Sequence, residues 1–288
     1  LLELAAHAKI NLSLDIKGRR ADGYHELETV MQSIALHDRL VFSAAADGAI
    51  SLECDSGEVP AGPENLVYRA ALLLRENTRC RRGVRISLAK RIPVAAGLGG
   101  GSADAAAALA GLNRFWNLGL PPAVLCSLAA VLGADVPFCL RGGTALARGK
   151  GELLTPLPAL PAMGVVLAKP PFGVSTARVY AAYDQRPAGP GPDTAAMLAA
   201  IEQRDPAAVA RCLGNVLEPV TASLHPVIND IRRALLRAGA MNALMSGSGP
   251  AVFGLCRDER EAGRVAARLT DVPGKILVTR LAGNCPAM

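Results

Sequence analysis

Aromatic residues are scarce: one Trp, four Tyr and five Phe make up 3% of the 288 residues. A platform that stacks successive bases needs more rings, so single-stranded nucleic-acid binding is disfavoured. A strong charge bias is also missing. Lys and Arg number 31 against 25 Asp and Glu, a net +6, and no short window concentrates them. The densest group, Arg79, Arg81, Arg82 and Arg85, reads as a solvated edge and not as a nucleic-acid patch. No run approaches the ~18 consecutive apolar residues of a membrane span. Leu1 to Lys9 lacks a basic region ahead of an apolar run and does not read as a signal peptide. There is no initiator methionine, so a few native residues are expected ahead of Leu1. The seven cysteines (Cys54, Cys80, Cys126, Cys139, Cys212, Cys256 and Cys285) are odd in number, scattered and never spaced as CxxC. That argues against a zinc site or a disulfide framework and for a reducing cytosol. Neither a nucleic-acid nor a membrane partner is expected.

Apolar residues are plentiful, at 51% against 19% charged, so a large core is available and disorder is excluded. The length suits two medium domains. Ala8 to Ile16 alternates, which predicts a half-buried strand. Ile10, Leu12, Leu14 and Ile16 lie on the apolar face, with Lys9, Asn11 and Ser13 on the other. Further strands are predicted at Arg39–Ala45, Ile50–Cys54, Val84–Arg91, Gly142–Arg148, Met163–Lys169, Asn242–Met245, Ala251–Cys256 and Lys275–Arg280. Helices are predicted at Glu64–Glu76, Ser102–Trp116, Pro121–Leu132, Ser175–Asp184, Thr194–Gln203, Pro206–Leu213, Pro226–Ala238 and Glu259–Leu269. Leu154 to Pro161 holds three prolines and reads as a linker, dividing the chain into residues 1–153 and 154–288. Strands and helices mix without regular alternation, so the class is α+β.

The most informative segment runs Pro93-Val94-Ala95-Ala96-Gly97-Leu98-Gly99-Gly100-Gly101-Ser102-Ala103-Asp104, between a predicted strand and a predicted helix. Glycine permits positive φ and lets the main chain approach a ligand. Free N–H groups and the helix N-terminus then favour an anion, a polyphosphate above all. Ser102 is placed to cap the helix or to donate to the phosphates. No Lys lies between Pro93 and Ala107, which excludes the Walker pattern. The dinucleotide fingerprint fails because its last glycine would fall on Ser102.

This loop resembles the second motif of the galactokinase, homoserine kinase, mevalonate kinase and phosphomevalonate kinase superfamily. Ala8-Lys9-Ile10-Asn11-Leu12 resembles the first motif, and Ser246-Gly247-Ser248-Gly249-Pro250-Ala251-Val252-Phe253 the third. Within the superfamily, Arg20 to Leu27 with Gln32, and Leu132 to Phe138, are similar to substrate segments of the 4-diphosphocytidyl-2-C-methyl-D-erythritol kinases. The resemblance implies a ribosomal-protein-like N-terminal kinase domain and a ferredoxin-like C-terminal domain, with the active site in the cleft between them. It implies transfer of phosphate from ATP, with Mg2+, to the 2-hydroxyl of the methylerythritol part, in the non-mevalonate isoprenoid route. The assembly would be a monomer or a weak homodimer.

An alcohol is a poor nucleophile near neutrality, and a carboxylate within hydrogen-bond reach can take its proton. Asp135 is the candidate base, although Gly133 before it also permits a plain helix-end turn. Lys9 is the candidate cation at the transferring phosphate, and Asn11 an orienting group. The resemblance makes Tyr24 and His25 the cytosine site, with Tyr180 stacking from the opposite side and Thr176, four residues earlier, touching substrate. Met31 stands where relatives can carry an aromatic. Asn65 and Lys90 match adenosine-side positions, and Asn65 also reads as a helix N-cap. Asp104 is either a ribose or magnesium contact or an exposed first-turn aspartate. Ser246, Gly247 and Ser248 would close over a phosphate. Three rivals remain: another kinase of the superfamily, a non-catalytic nucleotide-binding module, and a basic RNA-binding protein. Gly23-Tyr24-His25 together with Asp135 opposes the first, and intact Lys9, Asp135 and loop the second. The lack of a basic or aromatic stripe opposes the third.

Overall fold

The alternating N-terminus forms a longer strand than its pattern predicts. In the computed structural model, which describes residues 1–186 and 189–283, β1 runs over Leu2–Arg19 and β2 returns antiparallel over His25–Ser43. Only the end of β2 is legible in sequence. Strand β3 (Ile50–Cys54) lies parallel to β4 (Val84–Ala89), and helix α1 (Leu66–Thr78) connects them. Strand β5 (Thr144–Gly149) pairs with β2 and then with β6 (Leu153–Pro156). The expected linker at Leu154 to Pro161 therefore begins as a strand, because Pro156 sits at a strand end where its missing N–H costs nothing.

Ala-rich α2 (Gly100–Phe115) packs against β1 and β2 between α1 and α4 (Val136–Arg141), with α3 (Pro122–Leu132) beside it. Residues from Ala103 to Leu112 are all buried. Small side chains allow that closeness: a Cβ on Gly111 would lie 2.4 Å from the Phe42 ring.

The second half carries a four-stranded antiparallel sheet in the order β11-β7-β10-β9, from β7 (Gly164–Lys169), β9 (Asn242–Met245), β10 (Val252–Cys256) and β11 (Lys275–Arg280). Helices α9 (Val227–Ala238) and α10 (Glu259–Ala266) cover it. In α9, Ile228, Ile231, Leu235 and Ala238 are buried at three- and four-residue spacing, and Gly239 ends the helix in the left-handed region. That order and those two helices are the expected ferredoxin-like arrangement. Between β7 and α9 come α5 (Thr176–Tyr183), α6 (Thr194–Glu202), α7 (Pro206–Arg211), β8 (Gly214–Asn215) and α8 (Glu218–Leu224).

The two halves interlock. Strand β8 adds in parallel to β1, and Ala282 N–H donates to Ser33 O. One apolar cluster runs from Ile10, Leu12 and Ile34 to Val165, Phe253 and Leu255. Strand β1 is consequently buried on both faces at its centre, not half-buried: Lys9, Asn11 and Ser13 are covered as fully as Ile10 and Leu12. Among the described residues no helix is long and apolar enough to cross a membrane. The six cysteines described are free thiols, and Cys285 lies outside the described residues.

Candidate active site

A single cleft of about 1350 Å³ gathers most of the residues singled out in sequence. Its floor is β1. The Lys9 ammonium is 4% exposed as a residue, donates to Asn11 Oδ1 at 2.7 Å, and lies 3.3 Å from Asp135 Oδ2. Asn11 in turn donates to Thr29 Oγ1, which donates to Ser13 O. This chain of donors fixes the head of Lys9 beside Asp135, the residue that precedes the short α4. Asp135 is the residue just before α4, makes no capping bond, and keeps its side chain 31% exposed. The carboxylate is thus half-open to the cleft and half-held by the ammonium. It is less enclosed than its apolar sequence neighbours suggest, because Val136 to Leu140 turn inward and leave it at the rim.

The glycine loop lies over this floor. Ala95, Gly97 and Gly99 take positive φ (50°, 78° and 69°), and Gly100 is already the first residue of α2. Lys9 N–H donates to Leu98 O, which ties the loop to β1. A Cβ on Gly99 would meet the Lys9 side chain at 3.0 Å, and one on Gly97 would sit 2.1 Å from Ser246 O. The helix therefore begins earlier than predicted. Gly99, not Ser102, occupies its N-cap, so Ser102 lies in the first turn without a capping role. Asp104 is a further correction: it is not exposed but 3% accessible, and its Oδ2 accepts from Lys90 Nζ at 2.7 Å.

The turn Ser246 to Pro250, between β9 and β10, meets the loop from the other half. Ser246 Oγ donates to Gly97 O, and Ala251 N–H to Ala96 O. Ser246 is fully buried and joins the two turns instead of facing the cleft, whereas Gly247 and Ser248 line it. Thr176 Oγ1 lies 2.9 Å from Ser248 Oγ.

At the far end His25 lies beside Tyr180, with ring centroids 4.9 Å apart at 35°, and its Nε2 is 2.6 Å from Asp184 Oδ1. Burial and the Asp135 carboxylate both push the Tyr180 phenol up, so it stays protonated. Tyr24 is 60% exposed, and its ring sits 4.7 Å below the Lys150 ammonium. Met31 also lines the cleft. Gln32 does not: it is buried against Ser33 O, Ala282 O and Thr144 Oγ1. Asn65 caps α1 through Val67 N–H and donates to Pro60 O, while its side chain borders the cleft beyond the loop.

Family models match both halves: GHMP kinases N terminal domain over residues 65–143 and GHMP kinases C terminal over residues 197–274. A curated 4-diphosphocytidyl-2-C-methyl-D-erythritol kinase of Pelotomaculum thermopropionicum is 58% identical over 275 residues, 96% of each chain. The chain belongs to the 4-diphosphocytidyl-2-C-methyl-D-erythritol kinase family. A relative of the same name from Moorella thermoacetica is 53% identical, covering 97% of this chain and 99% of its own. A crystal structure of a 4-(cytidine 5'-diphospho)-2C-methyl-D-erythritol kinase superposes with a TM-score of 0.84 at 40% identity, over 98% of this chain and all of that one. A homoserine kinase from Cytophaga hutchinsonii shares the fold at TM-score 0.79 and 20% identity. Family membership carries ATP-dependent kinase activity with it.

Sequence reasoning missed several residues that hold this kinase-family cleft together. Asn215 donates to both Met245 O and Gly247 O and so fixes the third-motif turn. Asp184 engages His25, Thr29 backs Asn11, and Lys150 overhangs Tyr24. Only Asp184, closing a predicted helix that carries Tyr180, had a usable sequence signal.

Proposed function

We propose that this chain transfers the γ-phosphate of ATP to the 2-hydroxyl of 4-diphosphocytidyl-2-C-methyl-D-erythritol, with Asp135 as base and Lys9 as its cationic partner. The observation that carries the reading is the Lys9–Asp135 contact of 3.3 Å at the foot of the glycine loop. The acceptor hydroxyl sits against Asp135 Oδ2. As its oxygen bonds to the γ-phosphorus, the bond to the ADP oxygen breaks and the proton passes to the carboxylate. The ammonium, aimed by Asn11, offsets the charge on the transferring group. Backbone amides of Gly97 to Ser102 and the start of α2 hold the polyphosphate, with Pro93 to Ala96 and Asn65 on the adenosine side. Gly247, Ser248 and Thr176 close over the acceptor, and Tyr24, His25 and Tyr180 take the cytosine.

Among the described residues no three His, Cys, Asp or Glu side chains converge on a metal site. Mg2+, which binds substrate phosphates while keeping several waters, fits here as an ion carried by the nucleotide. When bound it neutralises phosphate charge. The proposal extends to an ATP-holding half over residues 1–153 and a second half over 154–288. It also extends to a cytosolic setting and to a monomer or weak homodimer. A coupled ADP-release assay with the diphosphocytidyl substrate, homoserine and mevalonate tests it. Turnover with the first alone is expected, and turnover with either of the others in its place would refute it.

A further inference from the structure

Outside the cleft, two histidines face one another across the first two strands. His7 of β1 and His37 of β2 are register partners, and neither lines the cleft. Residues directly opposite in an antiparallel pair point to the same face. His7 is half-buried and His37 exposed, and their ring centroids lie 5.1 Å apart at 49°. Each ring is held through its Nδ1. That of His7 lies 3.1 Å from Ile34 O, and that of His37 2.8 Å from Ala35 O. A carbonyl oxygen only accepts, so both Nδ1 atoms carry the proton, and the free lone pair of each neutral ring is on Nε2. A main-chain carbonyl on the second nitrogen is also what orients metal-ligating histidines. Both carbonyls belong to one short stretch of β2, where the register against β1 shifts between His7 and Lys9. Burial, more than anything else, holds the His7 imidazole below its ordinary value, so its lone pair is available near neutrality. Arg39, next along that face of β2, is turned to Glu3.

We propose that His7 and His37 form a two-histidine seat for Zn2+ that braces β1 against β2. With Zn–N of about 2.0–2.1 Å, the centroid of a ligating imidazole lies roughly 3.2 Å from the ion, and two such rings at a tetrahedral angle have centroids about 5.2 Å apart. The observed 5.1 Å meets that requirement with both strands where they are. Imidazole nitrogens suit a borderline transition ion, whereas Mg2+ takes oxygen ligands. Among the described residues no third His, Cys, Asp or Glu converges there, so water completes the tetrahedron. The seat also adjoins the seam between the two halves. Ile34, whose carbonyl holds His7, bridges to Leu281, and Ala282 N–H donates to Ser33 O. The ion takes no part in phosphoryl transfer. An ion held by the folded pair and not by the separated strands stabilises the fold as its concentration rises.

The test uses the full chain with its accessible thiols blocked by methyl methanethiosulfonate, since free cysteines also take zinc, in buffer that contains Mg2+. Calorimetric titration with Zn2+ should give one ion per chain at micromolar concentration. His7→Gln and His37→Gln should each weaken that binding by about tenfold or more, through loss of one of the two ligands. Long-range proton–nitrogen NMR spectra should show the Nε2 signals of both rings moving together as zinc is added. Zinc should raise the urea midpoint of the wild type and of neither variant. His37 is exposed, so His37→Gln decides if His7→Gln does not fold. A wild type without a micromolar site, or a site that His37→Gln retains at equal affinity, would overturn the inference. So would Nε2 signals that stay in place while zinc binds, or a urea midpoint that zinc leaves unchanged.

Discussion

Replacing Gly97 by Ala perturbs a point where the phosphate loop and the third-motif turn touch. Gly97 has φ 78°, where an L side chain is strained, and its Cβ would lie 2.1 Å from Ser246 O and 3.1 Å from Gly249 N. Contact of that kind is relieved only by opening the two turns by ~1 Å. Left-handed strain of about 1–3 kcal/mol adds to overpacking of similar size, so the expected destabilisation is about 2–6 kcal/mol. The displacement reaches the chemistry as well, because Ser246 Oγ donates to Gly97 O and a Cβ on Gly247 would lie 3.6 Å from Lys9 Nζ. A shift of that order at a reacting centre costs roughly 100-fold in kcat. Urea unfolding and steady-state kinetics on the same preparation measure both effects. Gly263→Ala is the control, on an exposed turn of α10 with nothing within 4 Å of the new Cβ, and it should gain about 0.5–1 kcal/mol. A Gly97→Ala protein within about 0.5 kcal/mol of wild type and with unchanged kcat would refute the argument.

Asp135→Asn should lower kcat by about 100- to 10,000-fold with ATP binding nearly intact, since the carboxylate serves the acceptor hydroxyl; more than a tenth of wild-type turnover would remove it from the mechanism. Tyr24→Ala and Tyr180→Ala should each weaken the diphosphocytidyl substrate by about 1–3 kcal/mol, and His25→Ala by a similar amount, with ATP affinity unchanged. Titration against free methylerythritol separates base recognition from a structural role, because equal losses for both ligands would place these residues in the fold. Burial holds the His7 imidazole below its ordinary value, against the Ile34 carbonyl that accepts from it and with the His37 ring beside it. The unfolded chain therefore takes up that proton first, and stability is lost as pH falls below about 6.5. The urea midpoint of His7→Gln should fall less than that of wild type between pH 7.5 and pH 5, and parallel declines would show that His7 does not contribute.

The parts of the fold legible in sequence are those whose signals are local. Ile50–Cys54, Asn242–Met245 and Lys275–Arg280 are strands with the limits predicted for them, and the glycines between β4 and α2 mark the loop. What stayed hidden depends on distant partners. Most of β2 lacks a two-residue period because its centre, Val30 to Ile34, is covered on both faces and bulges shift its register against β1. Strand β8 is two residues long and exists only through β1. Of the two readings of Asp104, the exposed first-turn aspartate fails, since nothing in its own stretch announces that Asp38 of β2 and Lys90, just after β4, converge on it. The site divides the same way. Lys9, Asn11, Asp135 and the loop lay within recognisable motifs, whereas Asn215 and Thr29 act through backbone and side-chain contacts made by folding.

The most direct measurement is the structure of the product. Incubation of the chain with ATP and 4-diphosphocytidyl-2-C-methyl-D-erythritol, followed by phosphorus–proton correlation NMR, locates the new ester. One new phosphomonoester on the 2-hydroxyl, formed with an equal amount of ADP and absent with Asp135→Asn, is the predicted result. A new ester on any other hydroxyl, or no ester from an active preparation that phosphorylates homoserine or mevalonate instead, would contradict the account.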